Sequence, residues 1–441
     1  MTAPGSGWRP TVALARALGV GAALLLGAVL LRRADLVVLA APLVLGAALA
    51  LSTGPTHRPT VGLEVPSDAL FEGATTTITA TVDSPDRLDV AALQLTLPPW
   101  LVPVTGLGPP TVATTVSPGV RADLPFVVRS VRWGRRQVGP VTLRASGAYG
   151  MLRWPSEVTG VAPSTTWPLR ETFVAADAVP RAEGLVGGHR SRRPGDGSDV
   201  SGVRPYVPGD RLRRINWRVT SRTGELHVTS TYSDRDTEVL LCLDSRQDLG
   251  DPPDSSLDIG VRSAAAIAEH YLRSGDRVGL LDLGQRYRPV PARSGRAHLV
   301  RLLDVLLDAR GLAHRLWSGE HVAARSGGLL PAAELPALAA ADALVVLLSP
   351  LSSPASLAAV AALSRAGRSV VVVDTLPAGV RAGPGGEYRE LAFRLWRLRR
   401  EADLRRVGEL GVPVVPWCGA GSLDHVLRDV SRAARAPRVA R

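Results

Sequence analysis

E-V-L-L-C-L-D-S-R-Q-D, from Glu238 to Asp248, is the stretch on which the fold turns. Val239 to Leu243 are unbroken apolar residues, the pattern of a strand buried on both faces, and the chain turns polar at Asp244. A helix is expected next over residues 257–273, because Val261, Ala264, Ala265, Ala268 and Leu272 fall on one stripe and Gly275 supplies a stop. The alternation continues, with strands expected over 278–283, 343–348, 369–374 and 412–415. Helices are expected over 299–307, 355–365, 388–410 and 423–434. Such an order requires a largely parallel sheet covered on both sides, an α/β doubly wound arrangement spanning residues 237–441.

Upstream lies R-P-Y-V-P-G-D-R-L-R-R-I-N-W-R-V-T-S-R, Arg204 to Arg222, the most residue-specific segment of the chain. Val207-Pro208-Gly209-Asp210 suits a type II turn, proline setting φ at its second position and glycine accepting positive φ at its third. Asp210 is expected to cap the next short turn, with Arg213 and Arg214 in reach of its carboxylate. Ile215 and Trp217 are two apart, so on an extended segment they would share a buried face. Pure core scaffolding is the plain alternative to a recognition role for this segment.

This run resembles the hallmark of the family called domain of unknown function 58, a pattern of R-x-Y-x-P-G-D, R-x-I-x-W and a closing A-R-x-G. Arg204, Tyr206, Pro208, Gly209, Asp210, Arg213, Ile215, Trp217, Ser221, Arg222 and Gly224 stand at those places. A second similar segment is R-W-G-R-R-Q-V-G-P-V-T-L-R at Arg132 to Arg144, followed by Y-G-M-L at Tyr149 to Leu152. The resemblance implies a membrane-anchored protein with a von Willebrand A-like domain, its bulk cytoplasmic, working beside a MoxR-type AAA+ ATPase in complex assembly or envelope processes.

The chain has 441 residues, room for two or three folded units. Its 52 basic side chains are all arginine and its formal charge is +12. Arginine without lysine, beside abundant Ala, Gly, Val and Leu, reflects GC-rich codons. No basic run is interleaved with aromatics, so a nucleic-acid partner is not expected, and anionic lipid headgroups are the better counter-surface. Cys242 and Cys418 are the only cysteines, too few for a disulfide framework.

Ala17 to Leu31 and Ala34 to Leu51 are apolar runs separated by Arg32-Arg33, each near the roughly 20 residues that span a bilayer. They read as a transmembrane hairpin over residues 1–58; a signal peptide and a buried soluble helix pair are the alternatives. Charge does not fix orientation: Arg32 and Arg33 favour a cytoplasmic turn, while Arg9, Arg16 and Arg58 favour the opposite. Over 59–179, alternating segments such as Ile78, Ala80, Val82 and Leu93, Leu95, Leu97, and others over 126–131 and 138–143, predict an antiparallel β-sandwich. Residues 180–199, rich in Gly, Arg, Ser and Pro, read as loop within a linker and signature segment over 180–236.

The von Willebrand A fold is similar to the C-terminal part and places D-x-S-x-S after its first strand, where oxygen ligands hold magnesium. Here Asp244 fits, Arg246 stands in place of the first serine and Asp248 in place of the second. A guanidinium cannot ligate a cation, so the site reads as degenerate and metal-free, with Arg246 paired to Asp244 or Asp248 in the ion's stead. Ser349-Pro350 stands where an aspartate is often seen. No phosphate-binding G-x-x-x-x-G-K-[ST], H-E-x-x-H or C-x-x-C occurs, and the eight histidines, His227 and His270 among them, are scattered. The expectation is a non-enzymatic membrane-anchored adaptor without cofactor, recognising protein partners at the strand ends near Asp244, Arg246 and Asp248. The alternatives are a metal-dependent hydrolase-like enzyme built on Asp244, Asp248 and Asp282, and an extracytoplasmic envelope protein.

Overall fold

A computed structural model of the chain describes residues 7–106, 108–169, 194–207, 212, 215–232, 238–284, 289–309, 331–341, 343–382 and 386–417. The chain divides into two compact units, residues 1–169 and 170–441. The hairpin expected over 1–58 and the strands after it fall into the first.

That unit opens with β1 (Arg9–Pro10), α1 (Val12–Leu31) and α2 (Asp35–Thr53). α1 begins ahead of the expected Ala17 and takes in Arg16, because the Thr11 hydroxyl caps it by accepting from the Leu14 amide at 3.4 Å. Arg32, at φ 49°, ends it in the left-handed region, and α2 runs past Leu51 to Thr53. Both helices are long and apolar enough to cross a bilayer. They meet through small residues: Gly21, Ala28, Ala40 and Ala47 are buried, and a Cβ on Gly21 would stand 2.8 Å from Val44 Cγ2. Their outer faces are bare, with Val29 75% and Leu30 72% exposed.

Eleven further strands complete the unit: β2 (Thr60–Glu64), β3 (Leu70–Phe71), β4 (Thr75–Asp83), β5 (Leu88–Leu95), β6 (Leu101–Pro103), β7 (Thr111–Val116), β8 (Ala122–Ser130), β9 (Gly134–Val138), β10 (Val141–Gly147), β11 (Leu152–Val158) and β12 (Ala162–Trp167). One antiparallel sheet runs β1-β11-β10-β5-β7 and a second β2-β4-β8-β6; β3, β12 and β9 make a small third. The period-two pattern buries Ile78, Ala80 and Val82 of β4 with Leu93 and Leu95 of β5 and Leu143 of β10 in one core. Burying each large aliphatic side chain contributes roughly 1.5–3 kcal/mol. Residues 138–143, expected as one strand, are two. Gly139 at φ 105° and Pro140, which has no N–H, break the ladder, so β9 and β10 join different sheets.

The second unit begins with β13 (Pro194–Pro205), α3 (Trp217–Thr223) and β14 (His227–Tyr232). Residues 194–199, expected as loop, are therefore strand, paired antiparallel with β14 through two register shifts. Pro208, Gly209, Asp210, Arg213 and Arg214 lie outside the described residues, and the expected turn and its ion pairs with them. The expectation for Trp217 is overturned. Asn216 accepts from the Val219 amide at 3.2 Å and starts a helix at the tryptophan, which is 67% exposed. Ile215, half-buried, bridges to Val228, so the two do not share a face. Trp217→Ala is accordingly expected to change unfolding free energy by no more than about 0.5 kcal/mol, which a denaturant titration checks. Gly224, at φ 75°, closes α3.

Then come β15 (Glu238–Leu243), α4 (Ser256–Arg273), β16 (Arg277–Asp282), β17 (Val290–Arg293), α5 (Arg296–Leu307), a short α6 (Leu335–Leu338), β18 (Leu344–Ser349), α7 (Pro354–Arg365), β19 (Ser369–Asp374), α8 (Glu387–Glu409) and β20 (Val414–Pro416). The helix expected over 423–434 and Cys418 lie outside the described residues. The strands form one sheet in the order β17-β16-β15-β18-β19-β20. Its pairs are parallel except β16 with β17, an antiparallel edge that no sequence signal announced. Leu240 and Cys242 share a core with Val345 and Leu347 of β18, Val360 and Leu363 of α7 and Val407 of α8. The alternate Leu243 side chain meets α4 instead: a Cβ on Gly260 would stand 2.9 Å from its Cδ1. A Ser255–Asp258 capping box sets the start of α4.

Candidate functional site

β15 pairs with β16 on one side and β18 on the other, so Asp244 emerges where the order of connections reverses, the place where open α/β sheets form a crevice. Its amide donates to Leu348 O at 2.9 Å, which holds it on the β15–β18 seam. Four side-chain donor contacts converge on its carboxylate. Arg246 Nε donates to Oδ1 at 2.6 Å and Nη2 to Oδ2 at 3.0 Å; the hydroxyls of Ser349, ending β18, and Ser356, in the first turn of α7, donate to Oδ2 at 2.7 and 2.6 Å. Only 3% of the Asp244 side chain and 13% of Arg246 is exposed. The sequence left Asp244 and Asp248 both open as partners of Arg246, and it is Asp244 that receives the fork. Burial pushes the Asp244 carboxyl up, but the guanidinium, by hydrogen bond and charge, and the two serine hydroxyls outweigh it and hold it below the ordinary carboxylate range.

The other candidates are placed differently. Asp248 Oδ1 accepts from the Leu257 amide at 3.1 Å and so serves the start of α4. Asp282, ending β16, accepts from Ser245 Oγ at 2.6 Å and the Gly284 amide at 2.9 Å. Asp374, ending β19, is paired with Arg400 of α8 at 2.6 Å, and Arg400 Nε also donates to Pro350 O at 2.9 Å. Sequence reasoning missed this second buried pair, since nothing marks Arg400 among its arginine neighbours on α8. It also missed Ser356 and Gly284; a Cβ on Gly284 would stand 2.4 Å from the Ser245 carbonyl carbon. Burial pushes the Cys242 thiol up to about 12, away from any nucleophilic form near neutrality. His298 Nε2 lies 2.7 Å from Val278 O, at the opposite end of β16. Among the described residues no group of three His, Cys, Asp or Glu side chains is placed to hold a metal ion.

Two of the strand ends thus carry buried carboxylates, Asp244 and Asp374, each paired with an arginine of the chain itself. An uncharacterized protein of Mycobacterium tuberculosis, Rv1480, and one of Mycobacterium bovis, Mb1516, are each 39% identical over 125 residues, 28% of this chain and 39% of theirs. The chain thus covers well under half the length of these relatives. Among solved structures, native alpha-2-macroglobulin of Escherichia coli, from domain MG7 to the C-terminus, aligns over 85% of this chain and 54% of that one. The identity is 12% and the TM-score 0.19, too low to bear on the fold. The segment from the end of β13 through β19, residues 202–378, holds Asp244, Arg246, Asp282, Ser349, Ser356 and Asp374, and it matches the family described as Protein of unknown function DUF58.

Proposed function

We propose that the protein is a non-enzymatic adaptor, anchored in the membrane by α1 and α2, whose second unit is a von Willebrand A-like domain that grips protein partners. The observation that carries the non-enzymatic half is the Arg246 fork on Asp244. In the similar metal-binding domains a carboxylate and hydroxyls surround a cation; here a carboxylate and the Ser349 and Ser356 hydroxyls surround a tethered positive charge. The hydrolase alternative needs Asp244, Asp248 and Asp282 together. Instead Asp244 is held by arginine, Asp248 serves a helix start and Asp282 accepts from Ser245.

The binding half rests on α8. Tyr388, Leu391, Leu395 and Leu398 recur at helical spacing and are all exposed, beside the exposed Arg397 and Arg399 and an Arg394 that is paired with Glu390 at 3.2 Å. An apolar stripe rimmed by arginine suits an amphipathic partner with acidic flanks. The family resemblance implies a MoxR-type AAA+ ATPase as that partner, with the bulk of this chain on the cytoplasmic side. The test is affinity capture of the full chain from detergent-solubilised membranes with and without ATP. An AAA+ ATPase should co-purify in a nucleotide-dependent manner, and Leu395→Asp should lower its recovery about tenfold while leaving the melting temperature unchanged. Equal recovery by wild type and Leu395→Asp would remove α8 as the docking face, and absence of the ATPase under both conditions would remove the partner.

A further inference from the structure

β10 passes into β11 through Ala148, Tyr149, Gly150 and Met151, at the end of the first unit that meets the apolar hairpin. Ala148 and Tyr149 stand at φ 54° and 56°, two consecutive non-glycine residues in the left-handed region, followed by Gly150 at 75°. Backbone of this kind persists where its surroundings enforce it. Here the Gly150 amide donates to Asp89 Oδ2 at 3.1 Å, and the Thr11 hydroxyl donates to Gly150 O at 2.9 Å. The result is that Ala148 and Met151 pack on the core while the Tyr149 ring is thrown outward, 79% exposed.

The depth of this turn is set by helix lengths. Thr11 is the cap of α1, so Tyr149 sits beside the point where α1 becomes apolar. On α2, a Cβ at Gly46 would be 3.7 Å from Met151 Cε, and one at Gly54 would be 2.5 Å from Leu152 Cδ1. The turn therefore reaches alongside the last stretch of α2, about 10 Å at 1.5 Å per residue. Helices of 20 and 19 residues are about 30 Å long, the thickness of the hydrocarbon core, with no length to spare. If they cross a bilayer, the turn lies in its boundary layer. Charge agrees: Arg9 and Arg153 are cross-strand partners in β1 and β11 and emerge on one face, and Arg16 lies one turn into α1. All three are exposed, and among the described residues none has a carboxylate partner, whereas nearby Arg58 is paired with Glu157 at 2.5 Å.

We propose that the Ala148–Met151 turn is a lipid-contacting element, seating the Tyr149 ring in the headgroup layer while Arg9, Arg16 and Arg153 pair with the phosphates of anionic phospholipid. It rests on the membrane-spanning reading of α1 and α2. An amphipathic ring and long cationic side chains are the groups that favour this layer. Together with the helices, they fix the tilt of the first unit against the bilayer.

The test uses the full chain in lipid nanodiscs with and without phosphatidylglycerol, carrying an environment-sensitive fluorophore on a single introduced cysteine. The background is Cys418→Ser, and Cys242 is buried. Labels go on Tyr149→Cys, on Ala23→Cys in the middle of α1, and on Thr96→Cys beyond the far end of β5. Quenchers are lipids with a spin label at headgroup level or deep in the acyl chain. The Ala23 label should respond to the deep quencher, the Tyr149 label to the shallow one, and the Thr96 label to neither. Phosphatidylglycerol should raise quenching at Tyr149 about twofold. An Ala23 label quenched at depth beside a Tyr149 label as dry of lipid as Thr96 overturns the inference and spares the membrane-spanning reading. An unquenched Ala23 label overturns both. Equal Tyr149 quenching with and without phosphatidylglycerol overturns the assignment of the arginines to lipid phosphate.

Discussion

Arg246→Ala is expected to lower the unfolding free energy of the second unit by about 3–5 kcal/mol at neutral pH, the cost of leaving a buried charge without its partner. Asp244 is nearly inaccessible to water, and without the guanidinium the Ser349 and Ser356 hydroxyls and, at 3.4 Å, the backbone amide of residue 246 still donate to its carboxylate, placing the loss toward the lower end of that range. The reverse truncation is milder. In Asp244→Ala the arginine, already partly exposed, can turn its head to solvent, so the two single variants should differ with Arg246→Ala the worse. The double variant should be more stable than Arg246→Ala alone, since it leaves no orphaned charge. Equal losses in both singles, or a double variant that is worst of all, would mean that the pair is not held as described.

The pH dependence has a definite sign. In the wild type the Asp244 carboxyl is held below its ordinary value, so its contribution is present above the unfolded-state pKa of about 3.9 and is lost as pH falls through the lower folded value. In Arg246→Ala the balance reverses: burial dominates, the folded pKa rises above the unfolded one, and the penalty appears as pH climbs past about 4. The gap between the two proteins should therefore be widest near neutrality and narrow on acidification, as urea titrations at several pH values will show. Magnesium supplies a complementary measurement. With the guanidinium in place, millimolar magnesium should leave the wild-type melting temperature unmoved; heat on calorimetric titration of the wild type that vanishes in Asp244→Ala would return the metal-dependent reading.

The α/β elements were legible because their signals are local. Val239 to Leu243, the stripe on α4 and the run over 369–374 each carry their period within one element, and the observed strands differ from the expected ones by a residue or two. What escaped depended on a partner elsewhere. Ile215 and Trp217 share a face only if the segment is extended, and Asn216 decides otherwise by capping a helix. β13 contains glycines and aspartates that read as loop, and it is strand because the Thr- and Val-bearing β14 pairs with it. The choice of Asp244 over Asp248 by Arg246 was open because both are within two residues; it is set by Ser349 and Ser356, more than a hundred positions away, which gather on the same carboxylate.

Gly284→Ala is the second substitution from which a large effect is expected, and nothing in the sequence singled the residue out. Its requirement is closeness of approach: an added Cβ would stand 2.3 Å from Ser245 Oγ, 2.4 Å from the Ser245 carbonyl carbon and 2.5 Å from the Arg246 amide nitrogen. Two of these three are backbone atoms that no rotamer change can move. Relief requires parting the segment after β16 from the segment after β15, which also parts Ser245 from Asp282 and displaces the start of Arg246. Overpacking of this kind typically costs about 1–3 kcal/mol, and the backbone contact places Gly284→Ala at or above the top of that range. Coupling distinguishes this from a merely local clash. If the methyl group acts by shifting Arg246 off Asp244, then combining Gly284→Ala with Arg246→Ala should cost clearly less than the sum of the two single losses, by about 0.5–3 kcal/mol. Strict additivity in denaturant titrations would show that the close approach at Gly284 and the arginine–aspartate pair are independent, and that the glycine serves only the spacing of the two strand ends.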